Sequence, residues 1–209
     1  TEWLPPESFP DLSKYDEIAI DLETKDPELK TMGSGSVIGK SNIVGVAVAV
    51  HDWKGYYPIA HEGGGNMDKS MVIKWFQDVL NTEATKIFHN AMYDVCFIRA
   101  AGLKINGMIV DTMIAGSLVD ENRFRYDLGS MGRDYLGIGK NEAVLKETAD
   151  LWGVDAKSEM YKLPAMYVGE YAEQDAELTL KLWQEMKKQM YHEDVEDIFK
   201  LETELFPCL

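Results

Sequence analysis

The chain has 209 residues, 45% of them hydrophobic, which suits one large domain or two small ones with a core that needs no disulfide staples. No apolar run approaches ~18 residues, and TEWLPPESFP at the start lacks a basic segment followed by an apolar one, so neither a membrane-spanning helix nor a secretory signal is expected. The net charge of −15 argues against binding by simple attraction to phosphates, and two distant cysteines, Cys96 and Cys208, read as thiols of a reducing compartment, Cys96 as a buried one.

Residues 1–15 are Pro-rich and polar and read as an irregular lead-in. EIAIDL at 17–22 alternates and then runs apolar, as a buried strand does. Residues 24–42, with Lys, Pro, Gly, Ser and Asn, read as a loop. IVGVAVAV at 43–50 is a β-branched strand, HDWKG is a turn, and YYPIA returns as a third strand, so the three predict an antiparallel meander. Met71, Val72, Trp75, Phe76, Val79 and Leu80 recur at helical spacing over 68–80, with Asn66 or Asp68 as the cap. TKIF at 85–88 reads as a short buried strand, followed by a helix from about 91 to 101 that Asn90 would cap and Gly102 would end. A strand at 108–110 and helices at 111–119 and 126–136 come next. Residues 139–160 carry no clear period, and long helices are expected over 164–190 and from 193 to the end. Three strands followed by helices alternating with short strands predict an α/β fold with a mixed sheet.

Three short patterns bear chemistry. Asp21 and Glu23 end the first strand two residues apart and so point to one face, where two adjacent carboxylates are costly unless a cation lies between them. Asp94 falls in the first turn of the helix after Asn90, where a helix dipole favours a carboxylate. Tyr171 and Asp175 are four apart and share one helix face, about 5–6 Å apart at Cβ, so a phenol and a carboxylate can hold a water between them. Each pattern alone is better explained as a solvated strand end, a cap or a surface Asp. His89, at a strand–helix junction, reads as structural.

Taken together, DLE at 21–23, NAMYD at 90–94 and YAEQD at 171–175 resemble the three motifs of the DEDD exonucleases, in the branch that carries tyrosine. The segments IVDTMIAGSLVDE at 109–121, RYDLGSMGRDYLG at 125–137 and YAEQDAELTLKLW at 171–183 are similar to the proofreading domain of bacterial and phage family A DNA polymerases. LETELFPCL resembles the segment that leads into the polymerase domain. The resemblance implies a ribonuclease-H-like fold in which a three-stranded antiparallel meander and short parallel strands are flanked by helices. It implies an exonuclease domain over 16–192, with 193–209 starting a helix toward a polymerase domain outside this chain.

The same resemblance implies a 3′→5′ exonuclease acting on the single-stranded 3′ end of DNA, with two divalent ions, Mg²⁺ by preference and Mn²⁺ as a substitute. Asp21, Glu23 and Asp175 would hold the first ion, Asp21 would bridge to the second, and Asp94 would reach the second through water. Tyr171, an ordinary phenol with a pKa near ~10, would orient the attacking water rather than take its proton. Leu22, Thr24 and Asn90 would contact the substrate strand. Arg123, Arg125 and Tyr126 in NRFRY stand equally as a nucleic-acid contact or a solvated loop. Implied partners are single-stranded DNA and a polymerase in cis or in trans, for a monomer without membrane contact in the cytoplasm of a bacterial cell or a phage-infected host. The acid excess then belongs partly to metal binding and mostly to solubility. Two alternatives stand beside this reading: an exoribonuclease of the same tyrosine branch, whose acids would be identical, and a non-catalytic scaffold, whose signature would be loss of the acids.

Overall fold

In the computed structural model, residues 2–39 and 42–206 are described, and they build a five-stranded mixed sheet with helices on both faces. Strand β1 (Glu17–Lys25) lies at its centre. It pairs antiparallel with β2 (Asn42–Val50), which pairs antiparallel with β3 (Trp53–Pro58). On the other side β1 pairs parallel with β4 (Thr85–Phe88), and β4 with β5 (Ile109–Asp111). The order is β3-β2-β1-β4-β5, the expected meander plus short parallel strands. The carboxyl ends of β1, β4 and β5 therefore open on one edge of the sheet, where α/β folds place their sites.

The two faces of the sheet differ in side-chain size. Ile18, Ile20, Leu22, Val46, Val48 and Tyr57 fill one face with Phe76, Val79, Val95 and Ile98. These come from α3 (Lys69–Asn81) and α4 (Ala91–Ala100). A fully buried side chain such as Phe76 contributes roughly 1.5–3 kcal/mol. Ala19, Ala47 and Ala49 line the other face. Small residues there let α8 (Gly169–His192) lie close across the strands, presenting Ala172, Ala176, Leu182 and Met186 to them. Helices α5 (Thr112–Val119) and α6 (Leu128–Leu136) pack against α8, and α7 (Ala143–Trp152) completes this side. A last helix, α9 (Glu196–Leu205), packs Phe199 against Trp183 of α8 in a tilted pair with ring centroids 5.5 Å apart.

Several expectations are corrected in detail. The 24–42 segment is not all loop: it holds two four-residue helices, α1 (Leu29–Met32) and α2 (Gly35–Ile38), too short to show a period. Residues 139–160 contain α7, whose buried Leu145, Thr148 and Ala149 are spaced three and four apart within a charged sequence. The long helix starts at Gly169, after a 3₁₀ turn at Ala165–Tyr167. Asp68, not Asn66, caps α3, its Oδ1 accepting from the Met71 N–H at 2.9 Å. Asn66 instead bonds the backbone of His61 through both its amide atoms. Cys96 is free and half-buried rather than fully buried, and Cys208 lies outside the described residues. Among the described residues no helix is long and apolar enough to cross a membrane.

The lead-in has neither helix nor strand, yet it packs. Phe9 stacks on Tyr57 at 5.3 Å, Trp75 Nε1 donates to the Pro10 carbonyl, and Leu12 is buried.

Candidate active site

Asp21 and Glu23 extend from β1 on the face that α8 covers, in line with Ala19, while Leu22 between them points into the opposite core. Their cross-strand neighbours are small: Ala47 stands opposite Asp21 and Gly45 opposite Glu23. Gly45 is required there, because a Cβ would fall 2.0 Å from the Tyr56 hydroxyl. That hydroxyl bonds His61 Nε2 at 2.6 Å, and His61 Nδ1 bonds the Leu163 carbonyl at 2.9 Å. A carbonyl only accepts, so Nδ1 carries the proton and Nε2 accepts from tyrosine. Burial keeps His61 neutral, its pKa pushed down to about 4. The result is a fixed floor beside the two acids. A register shift between Glu23 and Thr24 then bends the strand end away.

Asp94 arrives from the other face, around the end of β4. Its helix start was expected to depend on an Asn90 cap, and the structure corrects this. Asn90 has left-handed backbone, φ 68°, and makes no side-chain capping bond. Asp111 holds the turn instead. Its Oδ1 accepts from Asn90 N at 2.9 Å and Met113 N at 2.8 Å, and its Oδ2 from Ala91 N at 2.8 Å. One buried carboxylate thus secures the starts of both α4 and α5. His89 is structural, as expected: its ring bridges the Thr112 hydroxyl and the Tyr126 carbonyl, each at 2.7 Å. The Leu22 backbone lies close enough to Asp94 to ease its ionisation slightly, against the larger effect of burial.

Tyr171 and Asp175 face the strand from the first turns of α8. Between them sits a residue that the sequence did not single out. Lys140, in the turn after α6, donates from Nζ to Asp175 Oδ2 at 2.7 Å and to the Tyr171 hydroxyl at 2.9 Å. It had no motif or periodic position to reveal it.

The electrostatics describe one crowded cluster. Burial and the nearby Asp175 carboxylate push the Asp21 carboxyl up to about 8, against a partial offset from Lys140. Glu23 is raised well above the carboxylate range by burial and by Asp21, Asp175 and Asp94. Asp94 is raised likewise by burial and Asp21. Asp175 is raised by burial although Lys140 pulls the other way. Burial and the same carboxylates push the Tyr171 hydroxyl far above its ordinary value, so at neutral pH it is a hydrogen-bonding group and not a base.

As placed, no three acidic, His or Cys side chains among the described residues close on a common point, and Asp175 faces lysine. The donor chemistry nevertheless fits a hard divalent cation: four oxygen-donor acids, no thiolate or imidazole, and an ionisation that one ammonium alone does not support. Of the expected substrate contacts, Thr24 bonds the Tyr93 hydroxyl at 2.9 Å at the lip of the site, and Asn90 lies at the Asp94 turn. Leu22 is only 6% exposed, its side chain in the opposite core. In NRFRY, Arg123 is tied to Asp134 at 2.8 Å, Tyr126 to the Asp120 carbonyl at 2.6 Å, and Phe124 is fully exposed.

Comparison with known proteins shows the family. Residues 4–191 match the family described as 3′-5′ exonuclease. A DNA-directed DNA polymerase of Pseudomonas phage M6 is 32% identical over 223 residues, covering 100% of this chain and 32% of the polymerase. DNA polymerase I of Pseudomonas aeruginosa is 27% identical over 188 residues, covering 84% of this chain and 19% of the polymerase. The chain thus spans about a third or less of the length of these relatives. Among solved structures, Brucella melitensis NrnC with bound Mg²⁺ superposes with a TM-score of 0.66 at 16% identity, covering 95% of this chain and 85% of that one. Escherichia coli RNase D, an exoribonuclease, superposes with a TM-score of 0.63 at 14% identity, covering 92% of this chain and 44% of that one. At such identity these structures speak for the fold. The chain belongs to the 3′-5′ exonuclease family, as a domain related to those of the family A DNA polymerases of phages and bacteria.

Proposed function

We propose that the chain removes nucleotides from the 3′ end of single-stranded DNA in a metal-dependent reaction, as the proofreading unit of a DNA polymerase. The observation that carries this reading is the gathering of Asp21, Glu23, Asp94 and Asp175 around Tyr171 at the carboxyl edge of the sheet, the pKa of each acid raised by burial and, for Asp21, Glu23 and Asp94, by one another. Clusters of groups held out of their ordinary protonation range are where chemistry is found.

Two divalent ions, Mg²⁺ or in its place Mn²⁺, would supply charge relief on the scissile phosphate and an activated water when bound. Asp21, Glu23, Asp94 and Asp175 would hold them. Tyr171 keeps its proton and positions the attacking water by hydrogen bonding. Thr24, Asn90 and the Leu22 backbone border the place where a frayed 3′ nucleotide would lie. Residues 16–192 form the exonuclease unit, and 193–209 lead toward a polymerase, in cis or in trans; the unit itself is a monomer in the cytoplasm of a bacterial cell or an infected host. The curated relatives are DNA polymerases, which favours DNA over RNA.

The test is digestion of 5′-labelled DNA and RNA oligonucleotides of one sequence, with Mg²⁺ or with EDTA, by the wild type and by the Asp21→Ala plus Glu23→Ala variant. A ladder shortening from the 3′ end of DNA, lost with EDTA and in the variant, is expected. A ladder on RNA alone would move the chain to exoribonucleases, and folded protein that shortens neither strand would leave the scaffold alternative.

A further inference from the structure

Among the described residues, only one ion pair reaches any of the four clustered acids, and Lys140 makes it. Its neighbours in charge are engaged elsewhere: Lys54 and Lys181 pair with Glu177, and Lys146 with Glu142. The fold makes room for this one lysine. Gly137 ends α6 in left-handed conformation and turns the chain back toward α8. The Lys140 stem then crosses the first turn of α6 at Gly129, where a Cβ would come 3.1 Å from Lys140 Cδ and 3.6 Å from Cγ. The ammonium ends over the Tyr171 ring, 4.7 Å from its centroid, with the Asp175 carboxylate and the Tyr171 hydroxyl both in hydrogen-bond reach. The side chain is 16% exposed, so this is a largely desolvated ion pair and not a surface contact.

We infer that Lys140 is a positioning residue of the site, a resident cation that holds Asp175 and Tyr171 in place and competes with divalent metal for the Asp175 carboxylate. The inference rests on the metal-dependent reading above. A lysine and a metal ion cannot both take the same Asp175 oxygen at bonding distance, so each weakens the other. The second contact has a separate consequence. Because the ammonium donates to the Tyr171 oxygen, the hydroxyl hydrogen is directed away from lysine. Lys140 thereby fixes which way Tyr171 can donate, and it can keep this bond after yielding Asp175.

The test is Mn²⁺ titration by calorimetry without nucleic acid, on the wild type and on Lys140→Met, Lys140→Gln and Lys140→Arg, with kcat and KM on single-stranded DNA measured beside it. Removing a positive charge a few ångströms from the ligands should tighten Mn²⁺ binding by roughly tenfold or more in the Met and Gln variants. Their kcat should fall by about tenfold with KM little changed, as expected when an interaction made in the transition state is lost, and arginine should restore both properties toward wild type. This opposite movement of affinity and turnover separates a positioning role from a structural one, which would weaken both. The Gln variant guards against a defect peculiar to methionine. Mn²⁺ binding no tighter in folded Met and Gln variants than in the wild type would overturn the inference and leave the metal reading standing. No Mn²⁺ binding by the wild type would overturn both.

Discussion

Charge is buried at both ends of β4, in opposite ways. At the amino end, Lys86 lies inside the protein, and its ammonium donates to the Thr82 carbonyl and, at 2.7 Å, to the Asn106 carbonyl. Burial pushes its pKa down to about 8, against a partial offset from Glu83, and its two hydrogen bonds tie the end of α3 to the segment before β5. Beyond the carboxyl end, four carboxylates crowd together with a single lysine bonded to one of them. The first arrangement is satisfied and closed. The second opposes ionisation of its own acids until more positive charge arrives. Buried charge alone does not mark a site; buried like charges beside an open edge do.

The largest effect expected from this contrast is at the acids. Asp21→Asn should lower exonuclease turnover by roughly 10³-fold or more, since a metal ligand acts with its partners as a unit. The same change should raise the melting temperature of the metal-free protein at neutral pH, because it removes an acid that is ionised in the unfolded chain but whose ionisation burial and Asp175 oppose in the fold. A variant less stable than the wild type in EDTA would break the comparison. Asp111→Ala comes next. It leaves three backbone N–H groups at two helix starts without their acceptor and should cost about 2–4 kcal/mol in denaturant unfolding. A loss below about 0.5 kcal/mol would show that Asp111 is not what sets the turn carrying Asp94.

Much of this was legible in the sequence, and the parts that were not share a cause. The strands and α3 were readable because burial imposes a period on side chains, as in IVGVAVAV and in Val72, Trp75, Phe76 and Val79. The acids were readable as motifs because strand and helix geometry fix which residues share a face. Asp111 was not, because it caps a helix 21 residues earlier through the pairing of β4 with β5. Lys140 was not, because its partner Tyr171 is 31 residues away and its own turn has no periodicity. Caps and counter-ions supplied across the fold leave no local pattern. The nearest polar side chain, Asn90, caps nothing, and the acceptor comes from the neighbouring strand.

Smaller effects sharpen the same contrast. Tyr171→Phe keeps the ring under Lys140 and loses only the hydroxyl, so steady-state kinetics should show kcat lower by about 10- to 100-fold with Mn²⁺ affinity nearly unchanged. An equal loss of metal affinity would make Tyr171 part of the metal shell. Lys86 gives the cleanest signal. Its folded pKa of about 8 lies below the 10.5 of an ordinary lysine, so between those values the unfolded chain holds a proton that the folded protein has released. Raising the pH through that window therefore favours folding, by at most about 1.4 kcal/mol per pH unit. Unfolding of wild type and Lys86→Met at pH 7, 8, 9 and 10 should show the wild type gaining on the variant above pH 8. Parallel curves would mean that Lys86 is not held at a lowered pKa.

The central claim, that the acid cluster is a divalent-metal site, is tested most directly by anomalous scattering from crystals grown with Mn²⁺. The account predicts an ion ligated by Asp21, Glu23 and Asp175, a second beside Asp21 and Asp94, and the Lys140 ammonium turned away from Asp175. Well-ordered acids with no anomalous peak between them at millimolar Mn²⁺, and Lys140 still bonded to Asp175, would contradict it.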